Sequence, residues 1–198
     1  MTARRVRDRA RTETDLLEAT FELLQRDGVF GGLNLREVAA RAGVNRGQIY
    51  QYFGDRRSLL RAAASERARR WAANAKGHWN APFVERRRAM FRTELANPRA
   101  TSVEALLAVD GDPDFHVLPE IDRMRAALER DLEQGDLPAD ADAVAMHVFT
   151  VAACKGYVIF REAIARDLGL DVAEVDARVG AVYETVLAAL AGPGSPNG

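Results

Sequence analysis

The segment GVNRGQIYQYFGD, residues Gly43–Asp55, decides the fold of the N-terminal part of this chain. It lies between two glycine-marked turns, and Asn45 with Gln48 three residues later forms the capping-box pattern that starts a helix. At 100° per residue, Ile49 faces the core from such a helix and Gln51 lies on the opposite side. The segment therefore predicts a short helix with a polar outward face.

A similar pattern precedes it in GGLNLREVAARAGV, residues 31–44. Asn34 is a suitable N-cap, and Glu37 three residues later completes a second capping box. Gly43 suits the C′ position because glycine adopts the left-handed conformation at low cost. Two short helices joined by a tight turn predict a helix-turn-helix over residues 34–53.

The outward residues of the second helix have the chemistry of DNA contacts. Glutamine forms bidentate pairs with adenine, and arginine pairs with guanine or phosphate. Tyrosine hydroxyls suit phosphate oxygens, glycine permits close approach of the backbone, and helix N-termini present N–H groups to anions. The alternative for each residue is a solvated polar side chain, and Tyr52 is expected to lie partly in the core. The candidate DNA-binding residues are Asn34, Asn45, Arg46, Gly47, Gln48, Tyr50, Gln51, Tyr52 and Arg56.

Charge is distributed unevenly along the chain. The 198 residues carry a net charge of −1, but residues 1–70 contain 15 basic and 9 acidic side chains, a balance of +6, which leaves −7 for the remainder. A basic N-terminal part, residues 1–70, followed by an acidic remainder indicates that the N-terminal part binds a polyanion. The N-terminal arm is expected to follow the DNA backbone or enter the minor groove through Arg4, Arg5, Arg7, Arg9 and Arg11.

The sequence also indicates in which cellular compartment the protein is found. The N-terminus has no apolar segment of the secretory kind, and no run approaches the roughly 18 apolar residues of a membrane span. The only cysteine, Cys154, excludes an intramolecular disulfide. We therefore expect a cytoplasmic protein with no membrane partner.

Apolar residues recur at helical spacing along the chain, which predicts an all-α fold. The first helix is expected to begin near Thr12 or Thr14 and to end at Gly28, and the fourth to span about residues 55–78. Prolines and glycines separate the later helices, which are predicted at about 82–97, 99–110, 119–134, 139–168 and 172–191.

Residues 14–60, TDLLEATFELLQRDGVFGGLNLREVAARAGVNRGQIYQYFGDRRSLL, resemble the DNA-binding domain of the tetracycline-repressor (TetR) family. The matching features are LLEATFELLQRDG, LREVAARAGV, and GVNRGQIYQYF followed by a cap and a basic residue. The resemblance implies that residues 45–52 form the recognition helix and that Arg56 stands where a phosphate-binding lysine is usual. Asn34 and Asn45 replace the commoner threonine and serine, and both remain capping residues.

The resemblance also implies a function and a domain organisation. It implies a sequence-specific transcriptional regulator, expected to be a repressor, that binds a palindromic double-stranded DNA operator as a homodimer and responds to an unknown small-molecule effector. The helix-turn-helix domain with its basic arm would occupy residues 1–60, a helical ligand-binding and dimerisation domain 61–191, and a disordered tail 192–198. No cofactor is expected.

The last two predicted helices suit a dimer interface. In the final helix, apolar residues follow a spacing of three and four, which forms a continuous seam. The helix before it is apolar on nearly every face from Val144 to Ile164, so it is expected to be buried on both sides. A larger core within a monomer is the alternative. The predicted interface residues are Val144, Val148, Val151, Cys154, Val175, Val179, Val182 and Val186.

An effector pocket is implied by the resemblance and has weaker support from the residues. Aromatic residues and methionines between helices suit a cavity lining, and plain core packing is the alternative. His147 is expected to be either a ligand contact or a satisfied core histidine. The candidate ligand-binding residues are Trp79, Phe83, Met90, His116, Met124, Phe149 and Tyr157.

An enzyme is an alternative class of protein. Cys154 and His147 share a helical face, but two turns correspond to about 10 Å of rise, too far for a hydrogen bond between nucleophile and base. The three histidines lack metal-ligand spacing, so neither a catalytic nor a metal site is predicted. The remaining alternative is a non-specific nucleic-acid-binding or interaction module without an effector.

Overall fold

The computed structural model describes the backbone of residues 3–28, 33–74 and 77–192, and the side chains of residues 9–24, 26–28, 33–70 and 77–192. Within these ranges the chain is helical and contains no strand, so the predicted all-α fold is confirmed. A short 3₁₀ turn, His78–Asn80, precedes the fifth helix. The helices are α1 Ala3–Asp27, α2 Leu35–Arg41, α3 Arg46–Phe53, α4 Arg56–Asn74, α5 Phe83–Ala96, α6 Pro98–Val109, α7 Ile121–Glu133, α8 Ala143–Leu168 and α9 Val172–Leu190.

The chain divides into two compact units, Met1–Ala75 with Ser102–Val117, and Lys76–Thr101 with Leu118–Gly198. The predicted domain boundary after residue 60 lies inside α4, which continues to Asn74. Residue 192 of the predicted tail is buried, and its backbone N–H donates to the carbonyl of Asp136 at 2.9 Å. Residues 193–198 lie outside the described part of the chain, so the disorder of the tail stays a prediction.

The first unit is built around one apolar core. Leu16 of α1, Val38 of α2, Ile49 of α3 and Leu59 of α4 are each fully buried, and Leu107 of α6 joins the same cluster. Burying a side chain of this size contributes about 1.5–3 kcal/mol. Because each of the first four helices contributes one such residue, the core determines how α2 and α3 are held against α1 and α4.

The first helix begins earlier than the sequence indicated. The expected start was Thr12 or Thr14, but α1 begins at Ala3. No glycine or proline stands in residues 1–14, and the alanine and arginines there are good helix formers. The backbone of the arm is therefore helical from residue 3, while the side chains of Arg4, Arg5 and Arg7 lie outside the described residues.

The second unit combines an apolar core with buried charge. Phe83, Met124, Cys154 and Leu187 belong to one buried cluster from α5, α7, α8 and α9. A fully buried ion pair also joins α5 to α7.

Arg86 and Asp131 form this ion pair with both side chains fully buried. Arg86 Nη1 lies 3.1 Å from Asp131 Oδ1, Nη2 donates to the second carboxylate oxygen, and Nη1 also donates to the Ala81 carbonyl at 2.6 Å. Arg130 Nη2 donates to the same Asp131 Oδ1 at 2.9 Å. The carboxylate is thus shared by two guanidinium groups, which offsets the cost of burying it.

The 26-residue helix α8 has two different apolar faces. His147, Val151, Cys154 and Val158 are among its buried residues. The opposite face exposes a second apolar set, Val144, Val148, Phe149, Ile159, Phe160, Ile164 and Leu168. At 100° per residue the exposed set covers a broad arc of the helix outside the narrow sector of the buried residues, and this arc is called the outward stripe.

By length and composition α8 is the one helix in the described ranges that is apolar enough to cross a membrane, which sequence inspection for apolar runs had missed. Salt bridges join α8 to α5 and α9. Lys155 Nζ lies 3.1 Å from Glu94 of α5, and Arg161 Nη1 lies 2.9 Å from Asp176 of α9. Such salt bridges are typical of a core helix in a helical unit.

Replacing Asp131 with asparagine is expected to lower the free energy of unfolding by about 3–5 kcal/mol, because it leaves a buried guanidinium without its carboxylate. Urea denaturation followed by circular dichroism measures this. Glu174→Gln is the matched control, since it breaks the exposed Glu174–Arg178 pair of α9 and is expected to cost about 0.5 kcal/mol or less. Equal losses in the two variants would contradict the assignment.

Candidate functional site

The turn between α2 and α3 is a Schellman motif. Gly43 has a φ of +67°, and its N–H donates to the Ala40 carbonyl at 3.2 Å. The N–H of Val44 donates to the Ala39 carbonyl at 2.9 Å. These two bonds end α2 and need a residue with positive φ at position 43, where glycine is the least strained choice.

The start of α3 is closed by the predicted capping box, which the structure confirms. Asn45 Oδ1 accepts the Gln48 N–H at 3.1 Å, and Gln48 Oε1 accepts the Asn45 N–H at 3.1 Å. A Cβ atom added to Gly47 would lie 3.1 Å from Asn45 Oδ1. The cap therefore provides a local reason for glycine at position 47, besides close approach to DNA.

The capping box predicted for α2 is only half formed. Asn34 Oδ1 accepts the N–H of Arg36 at 3.1 Å, so Asn34 is the N-cap. The Glu37 side chain instead pairs with Arg26 of α1, with 2.7 Å between Arg26 Nη1 and Glu37 Oε1. That hydrogen bond lowers the pKa of Glu37. The prediction was wrong for Glu37 because a residue of another helix reaches its carboxylate.

The two glutamines of α3 differ in what they can offer to DNA. Gln48 is half-buried and its Oε1 accepts the Asn45 N–H, so the cap fixes the orientation of its amide and uses one of the two lone pairs of the oxygen. The side chain of Gln51 is exposed and forms no hydrogen bond within the described residues. A bidentate contact with adenine requires both the oxygen and the nitrogen of the side chain. Gln51 is therefore the better candidate for base recognition.

Each tyrosine of α3 has an arginine over its ring. Arg46 Nη2 donates to the Tyr50 hydroxyl at 2.7 Å, and its guanidinium carbon lies 5.5 Å from the ring centroid. Tyr50 is exposed, so this pair presents a cation and a hydroxyl to solvent. Tyr52 is half-buried against the core, as expected, and Arg9 of α1 lies 5.4 Å from its ring centroid. Arg9 is thereby placed beside α3 by a cation–π contact.

Arginines of the first unit fall into two groups. One group is neutralised, for example Arg41 by Glu22 at 2.6 Å and Arg61 by Asp112 at 2.9 Å. The other group lies on α1 and at the starts of α2, α3 and α4, and has no carboxylate partner in the described part of the chain. Its members are Arg9, Arg11, Arg36, Arg46 and Arg56. Unneutralised charge thus accompanies the helix starts whose N–H groups also attract anions.

Most candidate ligand residues lie inside the second unit. Phe83 and Met124 are buried, and Trp79, Met90 and Tyr157 are partly buried. The Trp79 Nε1 donates to Glu120 at 2.7 Å and the Tyr157 hydroxyl to Asp176 at 2.6 Å, so these polar atoms already have partners.

Two other ligand assignments are corrected. Phe149 is 59% exposed on the outward stripe of α8, which removes it from the core of its unit. His116 is exposed in the loop after α6 and belongs to the first unit, whereas the other candidates belong to the second. Neither position was recognisable from sequence, because burial in a helical protein depends on which face packs inward.

Sequence inspection missed Arg87, which is buried at 2% exposure and has no carboxylate partner in the described residues. Its Nη1 contacts Met90 Sδ at 3.5 Å, its guanidinium carbon lies 5.8 Å from the Phe83 ring centroid, and its Nε has no hydrogen bond. Burial and the neighbouring Arg86 lower its pKa to about 10, so the group remains charged at neutral pH.

His147 is not the satisfied core histidine that was one of the two expectations. It is 3% exposed, and its Nδ1 has no hydrogen-bond partner in the described residues. Burial lowers its pKa to about 3, with further contributions from Arg87, Arg86 and His78. The imidazole is therefore neutral at pH 7 and carries one polar nitrogen without a partner.

The eight candidate interface residues divide by burial. Val144, Val148 and Val182 are exposed, and Val179 and Val186 are half-buried. The others face inward: Val151, Cys154 and Val175 lie in the core of their own unit, so they are corrected to core residues. Burial also raises the pKa of the Cys154 thiol to about 12, which keeps it protonated.

Replacing His147 with glutamine is expected to flatten the acid side of the stability profile. Unfolded histidine takes up a proton near pH 6.5, whereas folded His147 stays neutral to about pH 3, so stability is lost as pH falls below 6.5. The variant should retain on the order of 1 kcal/mol of the stability that the wild type loses between pH 7 and pH 5. Urea midpoints across this range measure the effect.

The exposed His116 supplies the control for this experiment. His116→Gln should leave the pH profile parallel to that of the wild type. A His147→Gln profile that also ran parallel would show that His147 gains its proton equally in the folded and unfolded states.

Comparison with known proteins agrees with the geometry of α2 and α3. Residues 16–63 match the family described as bacterial regulatory proteins, tetR family. A similar solved structure is that of the fatty acid degradation regulator FadR from Bacillus halodurans, with a TM-score of 0.61, 18% sequence identity, and coverage of 86% of this chain and 93% of that chain. At this identity the likeness shows the fold alone. No curated protein matches the sequence. The matched segment contains the capped helix-turn-helix, so residues 16–63 are similar to the DNA-binding domain of the tetR family of bacterial regulatory proteins.

Proposed function

We propose that this regulator is a repressor that binds a palindromic operator as a homodimer and leaves it when a small molecule occupies the second unit. The observation that carries sequence-specific binding is the outward face of α3. On that face, exposed Gln51 offers both amide atoms, and neither Arg46 of α3 nor Arg56 at the start of α4 has a carboxylate partner in the described residues. Base contacts supply specificity, and phosphate contacts position the helix.

A second copy of this chain is the proposed partner for the outward stripe of α8. The stripe includes Phe149 and Phe160, which are 59% and 60% exposed, and α9 adds Val182 at 64%. Contiguous exposed apolar surface of this kind favours association. Two-fold symmetry pairs the same patch on both subunits, and it matches the symmetry of a palindromic operator.

The proposed response to a ligand uses α4, as a change in its tilt would alter the separation of the two recognition helices. Within the first unit, the start of α4 is tied to the end of α6. Arg61 Nε lies 2.9 Å from Asp112 Oδ1, and Arg57 pairs with Asp110. The same helix α6 begins with residues 98–101 of the second unit, so it is continuous between the two. This continuity supports α6 as the element that moves α4.

The first test is a fluorescence-anisotropy titration of the full chain on DNA flanking its own gene, with scrambled competitor, at two salt concentrations. Binding that survives competitor supports operator recognition. Weak and steeply salt-dependent binding to every sequence would instead favour the non-specific nucleic-acid-binding alternative. A reporter gene behind the same DNA then distinguishes repression from activation.

Gln51→Ala is expected to lower the discrimination between the operator and single-base variants by about 1–3 kcal/mol, because it removes a bidentate base contact. Arg56→Ala should weaken binding to all sequences and reduce the salt slope by about one. Gln48→Ala is the matched comparison within α3, since its cap loss should affect helix stability more than base preference. Loss of discrimination in Gln48→Ala alone would contradict the assignment to Gln51.

Phe160→Glu is expected to convert the dimer into monomers, because it places a charge in the proposed apolar interface. Sedimentation velocity measures the change, with a predicted dissociation constant at least about 100-fold weaker, the range of a central interface residue. Val109→Glu provides the control, since Val109 is 87% exposed at the end of α6 and lies outside the stripe. A Phe160→Glu protein that sediments as the wild type would disprove this interface.

A further inference from the structure

Three consecutive arginines of α5 have three different environments. Arg86 pairs with buried Asp131, and Arg88 Nε pairs with Glu184 of α9 at 2.8 Å. Arg87 is buried nearly as deeply as Arg86, but its guanidinium group hydrogen-bonds only to the Met90 thioether and lies over the Phe83 ring. Asp131 interacts with it electrostatically without a hydrogen bond. A buried cation without a counter-ion is strongly unfavourable. The folded protein therefore maintains at Arg87 a charge that its own described residues do not neutralise.

The carboxyl groups of Asp131 and Asp136 interact with Arg86 and Arg130. Asp131 accepts from Arg86 and Arg130. Asp136 is electrostatically coupled to the same two arginines, and its pKa is raised, chiefly by burial. The hydrogen bonds of the Asp131 carboxylate thus go to Arg86 and Arg130, and Arg87 has no carboxylate hydrogen bond in the described residues.

A second buried group of the same unit also has a polar atom without a partner. His147 of α8 has a buried Nδ1 without a hydrogen bond in the described residues, as Arg87 has a buried Nε without one. The charge of Arg87 is among the causes that lower the pKa of His147, after burial. A guanidinium group and a neutral imidazole N–H together form a donor set for a carboxylate. Phe83, whose ring lies 5.8 Å from the Arg87 guanidinium carbon, belongs to the apolar core cluster of this unit.

We infer that Arg87 and His147 form the headgroup site for the effector, and that this effector is a monocarboxylate with an apolar body. One buried guanidinium without a carboxylate hydrogen bond matches a monoanion, whereas a phosphate dianion would bring a second negative charge into the core. The inference rests on the proposed function, because it assigns the chemical class of the ligand to which the regulator responds.

Isothermal titration of the full chain with decanoate, decanol and decyl phosphate tests the inference. Decanoate should bind, and decanol should bind at least about 10-fold more weakly, as expected for a missing charge-assisted hydrogen bond. Arg87→Met should weaken decanoate binding by about 10–100-fold. Arg92→Met is the control on α5, because Arg92 is exposed. The Arg92→Met protein should bind decanoate as tightly as the wild type does.

Stability without ligand gives an independent readout. Arg87→Met should unfold at a higher temperature than the wild type, because the variant loses an uncompensated buried charge, and Arg87→Lys should keep the charge and bind decanoate with intermediate affinity. Equal binding of decanoate and decanol, tighter binding of decyl phosphate, no decanoate binding, or undiminished binding by Arg87→Met would each overturn the inference.

Operator anisotropy in the same solutions separates the two proposals. Decanoate that binds through Arg87 without releasing operator DNA would support the headgroup site and contradict the ligand response. A molecule that releases operator DNA and binds the Arg87→Met variant as tightly as the wild type would support the ligand response. The same result would overturn the headgroup site.

Discussion

The DNA-facing surface depends on the burial of Ile49. An eight-residue helix is too short to be stable alone, so α3 exists because this side chain is enclosed by α1, α2 and α4. The glycine turn at Gly43 sets the direction of the chain into α3, and the Asn45–Gln48 bonds satisfy its first N–H groups. With one face fixed in the core, Gln51 and Arg46 have to face outward.

Two buried arginines of the second unit, Arg86 and Arg87, differ in whether a carboxylate pairs with them. The paired arginine supports the fold, and the unpaired one is the residue to which a ligand is assigned. The pairing of Arg86 with Asp131 joins α5 to α7 and supports the fold. Arg87 contributes no comparable pair, although it is buried just as deeply. Unpaired polar groups in a core lower stability and are commonly retained where a ligand completes them. The stable pair thereby fixes α5, the helix that carries Arg87 into the core.

Local signals account for what sequence inspection located well. The helices from α2 to α9 lie within a few residues of their predicted bounds, since Asn, Gly and Pro mark helix ends through short-range hydrogen bonds and backbone restrictions. The start of α1 was placed too late because nothing in residues 3–11 prevents a helix. Glu37 was misassigned because Arg26, eleven residues away in another helix, competes for its carboxylate.

The amino-acid sequence by itself determined that the chain is all-helical, that it carries a capped helix-turn-helix and that its N-terminal part is basic. These properties follow from periodicity, capping residues and composition, which act over a few residues. Only the tertiary structure decided which member of Arg86–Arg88 is neutralised, which glutamine of α3 keeps both amide atoms, and which face of α8 stays exposed. Those outcomes depend on partners brought together by packing between helices, and the pattern along one helix contains no information about its neighbours.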